Sequence, residues 1–528
     1  MRIISVKPGH DGHISYISNG QLIFSHEAEK DSGSRYAELD ILTTLEAFTQ
    51  LENAPEMVAI SGWSHGWDPQ GKALAGGYMG LDVRAPKIRN FMGSKVSFYT
   101  SSHERSHLIC AYSMSPYAQG APLYALVWEG HLGAFYSIDE NLGITKIKTI
   151  LVDPGVRFAF VYALSDPSFK FPRGMIRLGD AGKIMALAAF SSSNIEPTEE
   201  ERKVLEMIMH APDKKTTLSK DDFREFKIYN SGAESEATKR LARLVSDHIF
   251  LYFRDAITAL ITETRPLIIS GGCGLNCDWN TAWENSGMFS STFIPPCTND
   301  TGSSIGTGVD AWFATTGKAK LEWSVYAGQI FVDDLDLQLT NSIEGFRYIG
   351  SEKSKIARAL YDGAIIAWVN ERCEIGPRAL GNRSLLAAPF TKETLQRLNT
   401  IKKRETYRPI APVCMEEDYQ DYFSLNRPSP YMLYFSRVLN KKLKAVTHID
   451  GSARPQTVNS SQNIRLHELL NAFKKISGVS VLCNTSLNFN GKGFINRSSD
   501  LIAYCRETGI DGFVINGNAF ISENFSND

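Results

Sequence analysis

The sequence has no long apolar run, almost no net charge and no paired spacing of its cysteines. No stretch approaches the roughly 18 apolar residues that a membrane-spanning helix needs. The first twelve residues, MRIISVKPGHDG, also lack the apolar run of a secretory signal. The eight cysteines never occur as CxxC, so they indicate core or site residues rather than a disulfide framework. A soluble, cytoplasmic protein without a membrane partner is therefore predicted.

The charge balance argues against a polyanion as the main partner, although a local basic patch remains compatible with it. The chain has 56 Lys and Arg residues against 58 Asp and Glu residues, a net charge of −2. So weak an overall field gives no reason to expect nucleic acid as a partner. At 528 residues the chain is longer than one hydrophobic core usually serves, so two or more domains are expected.

A pattern of three short strands occurs twice in the N-terminal part of the chain. The first copy is predicted at 3–6, 14–17 and 21–25, with the turns PGHDG and SNG between the strands. The second copy covers 123–150. Helical sequence follows each copy, and helices are predicted at 182–190 and 237–261 from their apolar spacing. The repeat indicates an internal duplication of the kind found in actin-like and sugar-kinase-like ATPases.

Two later segments place glycines directly after predicted strands. They are RPLIISGGCGLN, which contains Gly272 and Asn276, and FIPPCTNDTGSSIGTG. Such turns expose backbone N–H groups that can bind phosphate. The stretch 332–352 loses this pattern and is the predicted boundary between two α/β domains, residues 1–340 and residues 350–528.

Three histidines are candidates for a catalytic or metal site. His103 and His107 lie four residues apart, which places both imidazoles on one face of a helix. Glu129, at a strand end, and Asp300, in a glycine-rich loop, could complete a set that suits iron, manganese or zinc. The alternative is two unrelated exposed histidines. His10 lies in the turn PGHDG, where it could reach a ligand or simply be exposed to water.

Basic residues in the C-terminal part are interleaved with Gly, Pro and apolar residues, which favours a lined pocket over a solvated surface. A strand end carrying an amide and a hydroxyl accompanies them. Together they supply the charge-assisted bonds that a triphosphate and a carboxylate-like anion need. The residues are Arg378, Arg383, Lys402, Arg404, Arg408, Arg454, Asn484 and Ser486.

Nine motifs, taken in order, resemble the carbamoyltransferase family that includes nodulation protein U and the tobramycin and cephem hydroxymethyl carbamoyltransferases. The resemblance covers essentially the whole chain. The motifs are KPGHDG, HERSH, GKIMALAAF, SGGCGLNCDWN, IPPCTNDTGSSIGTG, EIGPRALGNRS, NTIKKRETYRPIAP, HIDGSARPQTV and NTSLN.

The resemblance implies a fold and an activity. The N-terminal domain is expected to be similar to the tRNA threonylcarbamoyl transferase TsaD, of the actin-like ATPase class, and the C-terminal domain to be YrdC-like. In the family, the YrdC-like domain makes carbamoyl adenylate from carbamoyl phosphate and ATP with Mg²⁺. The TsaD-like domain then delivers the carbamoyl group to an alcohol with the help of a metal, usually iron. The expected acceptor is a small-molecule hydroxyl, such as that of a hydroxymethyl cephem or another antibiotic.

The resemblance also assigns residues to the transfer site. The family's metal ligands fall on His103, His107, Glu129 and Asp300, which are expected to hold Fe²⁺ or another transition metal. The third ligand is usually Asp, so Glu129 departs from the pattern. The histidine of the glycine turn falls on His10, as a general base or a carbamoyl contact. A family lysine with a catalytic role falls on Arg35, with Lys30 as the alternative.

In the activating domain, the resemblance assigns contacts to carbamoyl phosphate and ATP. They fall on Arg378, Lys402, Arg408, Arg454, Asn484 and Ser486, and Lys402 and Arg408 are also expected to act in catalysis. Cations at these positions would neutralise the phosphates and the charge that develops at the α-phosphorus. A closed passage between the two sites is expected, because carbamoyl adenylate hydrolyses in water.

Two other functions compete with this interpretation. The same domains could transfer a carbamoyl or threonylcarbamoyl group to protein or tRNA. The balanced charge disfavours tRNA, and the acylphosphatase and zinc-finger modules of hydrogenase-maturation carbamoylases do not precede the first strands. A nucleotide-dependent filament protein would leave the basic motifs unexplained. The acceptor alcohol and the oligomeric state stay open, a homodimer being one option.

Overall fold

The structure, a computed structural model, describes residues 1–63, 75–82, 85–91, 93–337 and 342–525. Its contacts divide the chain into two units. The first comprises Met1–Met114, Asp300–Thr447 and Gly451–Asp528, and the second comprises Ser115–Asn299 with His448–Asp450. The architecture is mixed α/β, as predicted. Residues 338–341 of the predicted boundary lie outside the described residues, and the division at 340–350 stays a prediction.

Thirteen α-helices occur in the described part of the chain. None of them is long and apolar enough to cross a membrane. In chain order they are α1 Ile41–Thr49, α2 His103–Met114, α3 Pro154–Ser165, α4 Asp180–Ala188, α5 Glu199–Met209, α6 Glu236–Thr258, α7 Cys277–Glu284, α8 Ser303–Thr316, α9 Lys353–Tyr361, α10 Lys392–Ile401, α11 Tyr419–Tyr422, α12 Ile464–Ser477 and α13 Ser498–Thr508.

The first unit begins with a six-stranded sheet in the order β3-β2-β1-β4-β6-β5. The predicted first three strands form an antiparallel meander, and β4 and β6 continue the sheet parallel to β1. Asn19 and Gly20 adopt positive φ angles of 51° and 86°, which match a tight hairpin turn. The strands are β1 Arg2–Lys7, β2 His13–Ser18, β3 Gln21–Glu27, β4 Met57–Ser61, β5 Lys87–Phe91 and β6 Ser94–Ser101.

The sheet of the second unit repeats the first five strand positions of this order, when it is read from the opposite edge. It runs β11-β10-β7-β8-β9, with an antiparallel meander β7-β8-β9 and two further strands parallel to β7. The repeated order agrees with the duplication that the sequence predicts. The strands are β7 Leu123–Trp128, β8 Leu132–Ile138, β9 Ile144–Val152, β10 Leu267–Ser270 and β11 Thr292–Phe293.

The C-terminal part of the first unit forms a nine-stranded mixed sheet in the order β12-β13-β22-β21-β14-β15-β20-β16-β19, while β17 pairs with β18. Apolar residues of α9 and α12 cover one face, and those of α10 and α13 the other. The strands are β12 Ser342–Ile343, β13 Phe346–Gly350, β14 Ile366–Val369, β15 Arg383–Ala387, β16 Ala411–Met415, β17 Ser436–Arg437, β18 Ser452–Ala453, β19 Gln456–Val458, β20 Val481–Ser486, β21 Gly512–Ile515 and β22 Asn518–Ser522.

Close packing of α8 against α2 depends on a glycine. A Cβ atom at Gly306 would lie 1.9 Å from the carbonyl oxygen of Ser106 in α2, and backbone cannot move away as a flexible side chain can. We therefore expect Gly306→Ala to lower the free energy of unfolding by about 3 kcal/mol, measured by urea denaturation. Gly179→Ala is the matched control, since its Cβ would meet nothing within 4 Å. Equal stability of the two variants would contradict the packing described.

Candidate active site

Two histidines lie on one face of α2, as their spacing predicts. His103 is the first residue of the helix and His107 follows one turn later, and both side chains are fully buried. Their Nε2 atoms are 3.3 Å apart. The ring of His103 stacks on Tyr78 at 4.4 Å between centroids. Burial and stacking fix both imidazoles with their Nε2 atoms facing the same point, which excludes the alternative of two exposed histidines.

Asp300 brings a carboxylate to these imidazoles. It begins the 3₁₀ turn Asp300–Gly302, and its Oδ1 atom lies 3.5 Å from Nε2 of His103 and 3.4 Å from Nε2 of His107. Ligand atoms at 2.0–2.1 Å from a tetrahedral metal are about 3.4 Å from one another. The three atoms therefore have the separations that a transition metal requires of its ligands.

A buried lysine holds the other oxygen of this carboxylate. Nζ of Lys7, at the end of β1, lies 3.1 Å from Oδ2 of Asp300 and packs over the ring of Trp63 at 4.4 Å. Burial raises the pKa of Asp300, but the charges of His103 and Lys7 outweigh burial and hold this pKa well below its usual range. The carboxylate is therefore ionised, the state that a metal ligand needs.

His10 borders this group in the turn after β1. Its Nδ1 atom is 2.9 Å from Oδ2 of Asp11 and 3.7 Å from Oδ2 of Asp300. Its ring meets Trp63 edge-on at 4.6 Å, and the side chain is 39% exposed. The carboxylate of Asp11 orients the imidazole while part of the ring stays accessible. This arrangement suits a general base or a substrate contact, and either role stays a prediction for His10.

His13 fixes the position of this turn relative to α8. Burial lowers its pKa to about 3, so the ring is neutral. Its Nδ1 atom lies 3.0 Å from the carbonyl oxygen of Asp11, and its Nε2 atom accepts a 2.9 Å hydrogen bond from the backbone N–H of Ser304. One neutral tautomer satisfies both contacts, with Nδ1 as the donor. The His10 turn and the Asp300 turn are thereby joined through His13.

Three predicted site residues belong to the second unit. Glu129 is buried directly after β7, and Cys273 donates a 3.3 Å hydrogen bond to its carbonyl oxygen. Gly272 begins the 3₁₀ turn Gly272–Leu275 that follows β10. Asn276 caps α7 through its side-chain oxygen, which accepts from the N–H groups of Asp278 and Trp279. The capping role of Asn276 was not predicted, and it leaves only the amide NH₂ group for a ligand.

A second site surrounds Lys402 at the C-terminal end of α10. Its ammonium donates to the carbonyl oxygens of Ser486 and Asn488 at 2.7 and 3.0 Å, and to Oδ1 of Asn488 at 2.6 Å. Burial lowers the pKa of Lys402 well below its usual value, and the charges of Arg404 and Arg408 lower it further. The structure therefore brings Lys402 and Ser486 together at the end of β20, as the sequence predicts.

Arginines extend this positive charge. Burial lowers the pKa of Arg404 to about 9, and the charges of Arg408 and Arg454 add to the effect. Glu405 partly balances this charge, 3.7 Å from Nη1 of Arg408. We call Lys402, Arg404, Arg408 and Arg454 the cation cluster. Since neighbouring cations disfavour the charged states of Lys402 and Arg404, a bound polyanion would relieve the repulsion.

The loop that carries Arg378 is connected to the neighbouring strands. Nδ2 of Asn484 donates to the carbonyl oxygen of Ala379 at 3.2 Å and to Oε1 of Gln456 at 2.8 Å. Gln456 in turn donates to the carbonyl oxygen of Leu380 at 2.7 Å. Hydrogen bonds thus join the loop that carries Arg378 to the end of β20 and the start of β19.

Two buried polar atoms near the cation cluster lack protein partners. Throughout the part of the chain that the structure describes, no hydrogen bond is found for Nε of Arg454 or Oδ1 of Asn484. Buried polar groups are rarely left unsatisfied unless a ligand or water binds them. The donor at Arg454 and the acceptor at Asn484 are therefore candidates for substrate contacts.

Family comparisons identify the chain's relatives. Residues 78–309 match the family model described as the carbamoyltransferase N-terminus, and residues 357–522 match the carbamoyltransferase C-terminus. A 3'-hydroxymethylcephem-O-carbamoyltransferase of Amycolatopsis lactamdurans is 45% identical over 518 residues, which cover 98% of both chains. The chain belongs to the carbamoyltransferase family. It is an enzyme, a carbamoyltransferase, as the sequence predicts.

Two further relatives and one solved structure share parts of this carbamoyltransferase's sequence or fold. The enzyme with the same description from Streptomyces clavuligerus is 44% identical, covering 98% of both chains. Nodulation protein U of Sinorhizobium fredii is 32% identical and covers 94% of this chain and 95% of its own. The crystal structure of full-length HypF covers 60% of this chain and 56% of its own at 14% identity, with a TM-score of 0.33.

The structure adds residues to the carbamoyltransferase site that the sequence did not single out. Four of them lie inside the motifs KPGHDG, HIDGSARPQTV and NTSLN, but the motifs alone do not show which contacts these side chains make. The added residues are Lys7, Asp11, His13, Gln456 and Asn488. Arg35 forms an ion pair with Glu29 at 3.2 Å, and its charge also lowers the pKa of Lys402. Arg35 is thus electrostatically linked to the cation cluster.

Proposed function

We propose that this carbamoyltransferase uses ATP and carbamoyl phosphate to form carbamoyl adenylate, and that it transfers the carbamoyl group to the hydroxyl of a small molecule. The cation cluster is the observation that carries this proposal. The charges of Arg404 and Arg408 lower the pKa of Lys402, and those of Arg408 and Arg454 lower the pKa of Arg404. Such a group of basic side chains suits a ligand with several negative charges, such as ATP together with carbamoyl phosphate. Identities of 44–45% to two hydroxymethylcephem enzymes make a 3'-hydroxymethyl cephem the first acceptor to test.

The activation reaction consumes one molecule of water. Carbamoyl phosphate and water give carbamate and inorganic phosphate, and an oxygen of carbamate then attacks the α-phosphorus of ATP and displaces pyrophosphate. Arg378, Lys402, Arg408 and Arg454 are proposed to neutralise the phosphates while negative charge develops. Asn484 and Ser486 at the end of β20 are proposed to orient the carbamoyl group, and Mg²⁺ is proposed to accompany ATP.

The transfer reaction is assigned to the site around Asp300. The hydroxyl oxygen of the acceptor attacks the carbamoyl carbon, AMP leaves, and the hydroxyl proton passes to Nε2 of His10 as general base. His103, His107 and Asp300 would hold a transition metal such as Fe²⁺, and Glu129 is proposed as the fourth ligand. When bound, the metal would supply Lewis-acid polarisation of a carbonyl. Arg35 and the turn containing Gly272 and Asn276 are proposed to contact the adenylate.

The two reactions are proposed to take place in two domains. A TsaD-like, actin-like ATPase domain is proposed for residues 1–340, supported by the strand order that recurs in the two N-terminal sheets. A YrdC-like domain is proposed for residues 350–528, supported by the location of the cation cluster on loops of the nine-stranded sheet.

Product analysis tests the proposed function. Enzyme supplied with ATP, Mg²⁺, Fe²⁺, carbamoyl phosphate and a 3'-hydroxymethyl cephem should yield the O-carbamoyl cephem and AMP, detected by mass spectrometry. Omission of either ATP or carbamoyl phosphate should abolish the product, because the adenylate needs both. The same cephem lacking its 3'-hydroxyl is the control acceptor. Carbamoylation that proceeds without ATP, or formation of ADP instead of AMP, would refute the adenylate route.

A further inference from the structure

A buried ion pair near the end of the first meander touches the loop that carries Arg378. Glu27 ends β3 and Lys30 lies in the following turn, and their charged atoms are 3.6 Å apart with both side chains at most 2% exposed. Replacing such a pair by apolar residues of similar volume often costs little stability. Burial raises the pKa of Glu27 to about 7, although the charge of Lys30 opposes this shift. So costly a pair at this place indicates a role other than stability.

The pair binds the backbone just before Arg378. Nζ of Lys30 donates to the carbonyl oxygens of Glu374 and Gly376 at 2.9 and 2.8 Å. Oε1 of Glu27 accepts from the N–H of Gly376 at 2.7 Å. Gly376 therefore has both of its backbone polar groups held by one charged pair, and Arg378 follows only two residues later.

The other end of the loop is held by a buried carboxylate. Oε1 of Glu374 accepts hydrogen bonds from the backbone N–H groups of Leu380, Asn382 and Arg383 at 2.6, 2.8 and 3.3 Å. Glu374 is fully buried. Residues 376–383, which we call the Arg378 loop, are thus fixed at both ends, and few backbone conformations remain available to Arg378.

We infer that Lys30 and Glu27 are positioning residues for Arg378, so that a segment of the first meander sets the affinity of the activating site for carbamoyl phosphate. This inference rests on the proposed function. The sequence left Lys30 as the alternative to Arg35 for the catalytic lysine of the family. The positioning role inferred here for Lys30 is a different one. Lys30 does not touch the substrate in this account; its ammonium is saturated by two carbonyl oxygens, the carboxylate of Glu27 and the ring of Phe494 at 4.0 Å.

A double-mutant cycle tests the inference by the dissociation constant of carbamoyl phosphate, measured calorimetrically with the full-length protein. Lys30→Met should raise this constant about tenfold when Arg378 is present, and less than about twofold in an Arg378→Met background, because Lys30 acts through Arg378. Lys441→Met, at an exposed position, is the matched control and should bind as the wild type does.

Two results would overturn the inference. One is an unchanged dissociation constant for Lys30→Met, and the other is an equal loss of affinity with and without Arg378. If Lys30→Met does not fold, Lys30→Arg takes its place in the cycle, since the larger guanidinium keeps the charge but displaces the carbonyl contacts. Wild-type protein that fails to bind carbamoyl phosphate would refute the proposed function itself, which separates the two failures.

Discussion

Replacing Lys402 by Met is expected to reduce the carbamoyl-phosphate-dependent exchange of pyrophosphate into ATP by about 10³-fold, on the order of 4 kcal/mol of transition-state stabilisation. Methionine keeps the length of the side chain but removes the ammonium that holds Ser486 and Asn488 and contributes charge to the cation cluster. Isotope exchange with labelled pyrophosphate measures this half-reaction without any acceptor.

The neighbouring lysine supplies the control for this experiment. Lys403 is 59% exposed and pairs with Glu507 at the surface, where an ion pair contributes at most about 1 kcal/mol. Lys403→Met should therefore exchange pyrophosphate at the wild-type rate. Unchanged exchange in a folded Lys402→Met variant would mean that the activating site lies elsewhere.

Replacing His107 by Ala is expected to lower the affinity for a transition metal at least about 100-fold, since the proposed site has few ligands and each is held rigidly. Purified wild-type protein should contain about one transition metal ion per chain, and the variant almost none. Elemental analysis after dialysis against a weak chelator measures this difference independently of activity.

An exposed histidine provides the comparison. His210, at the end of α5, should be replaceable by Ala without any change in metal content. If wild type, His107→Ala and His210→Ala held equal amounts of metal, the convergence of His103, His107 and Asp300 would have another role. The ionised carboxylate of Asp300 would then bind Lys7 and stabilise the His10 turn without a metal.

Local patterns in the sequence predicted the elements that carry the site. Alternation of apolar residues between glycine turns predicted both strand meanders, and four-residue spacing predicted the shared face of His103 and His107. These features depend on residues close in sequence, where the periodicity of strands and helices applies directly. The same holds for Ser486, which the strand pattern placed at the end of β20.

Contacts between distant segments could not be predicted in this way. Lys7 and Asp300 are separated by 293 positions, and no local sequence pattern near either residue indicates a contact with the other. Lys30 and Gly376 are a comparable case, since the hydrogen bonds between them involve backbone atoms that carry no sequence signal. The sequence also did not reveal that Asn276 caps α7, because a helix cap and a phosphate contact favour the same residue type after a glycine turn.

Activation and transfer are proposed to occur at separate sites in one chain, and measuring both half-reactions on the same two variants tests this most directly. His107→Ala should keep carbamoyl-phosphate-dependent pyrophosphate exchange and lose the carbamoylated product, because adenylate formation does not involve the metal ligands. Lys402→Met should lose both. If a folded His107→Ala protein lost exchange together with product, the two reactions would share one site and the division described here would be wrong.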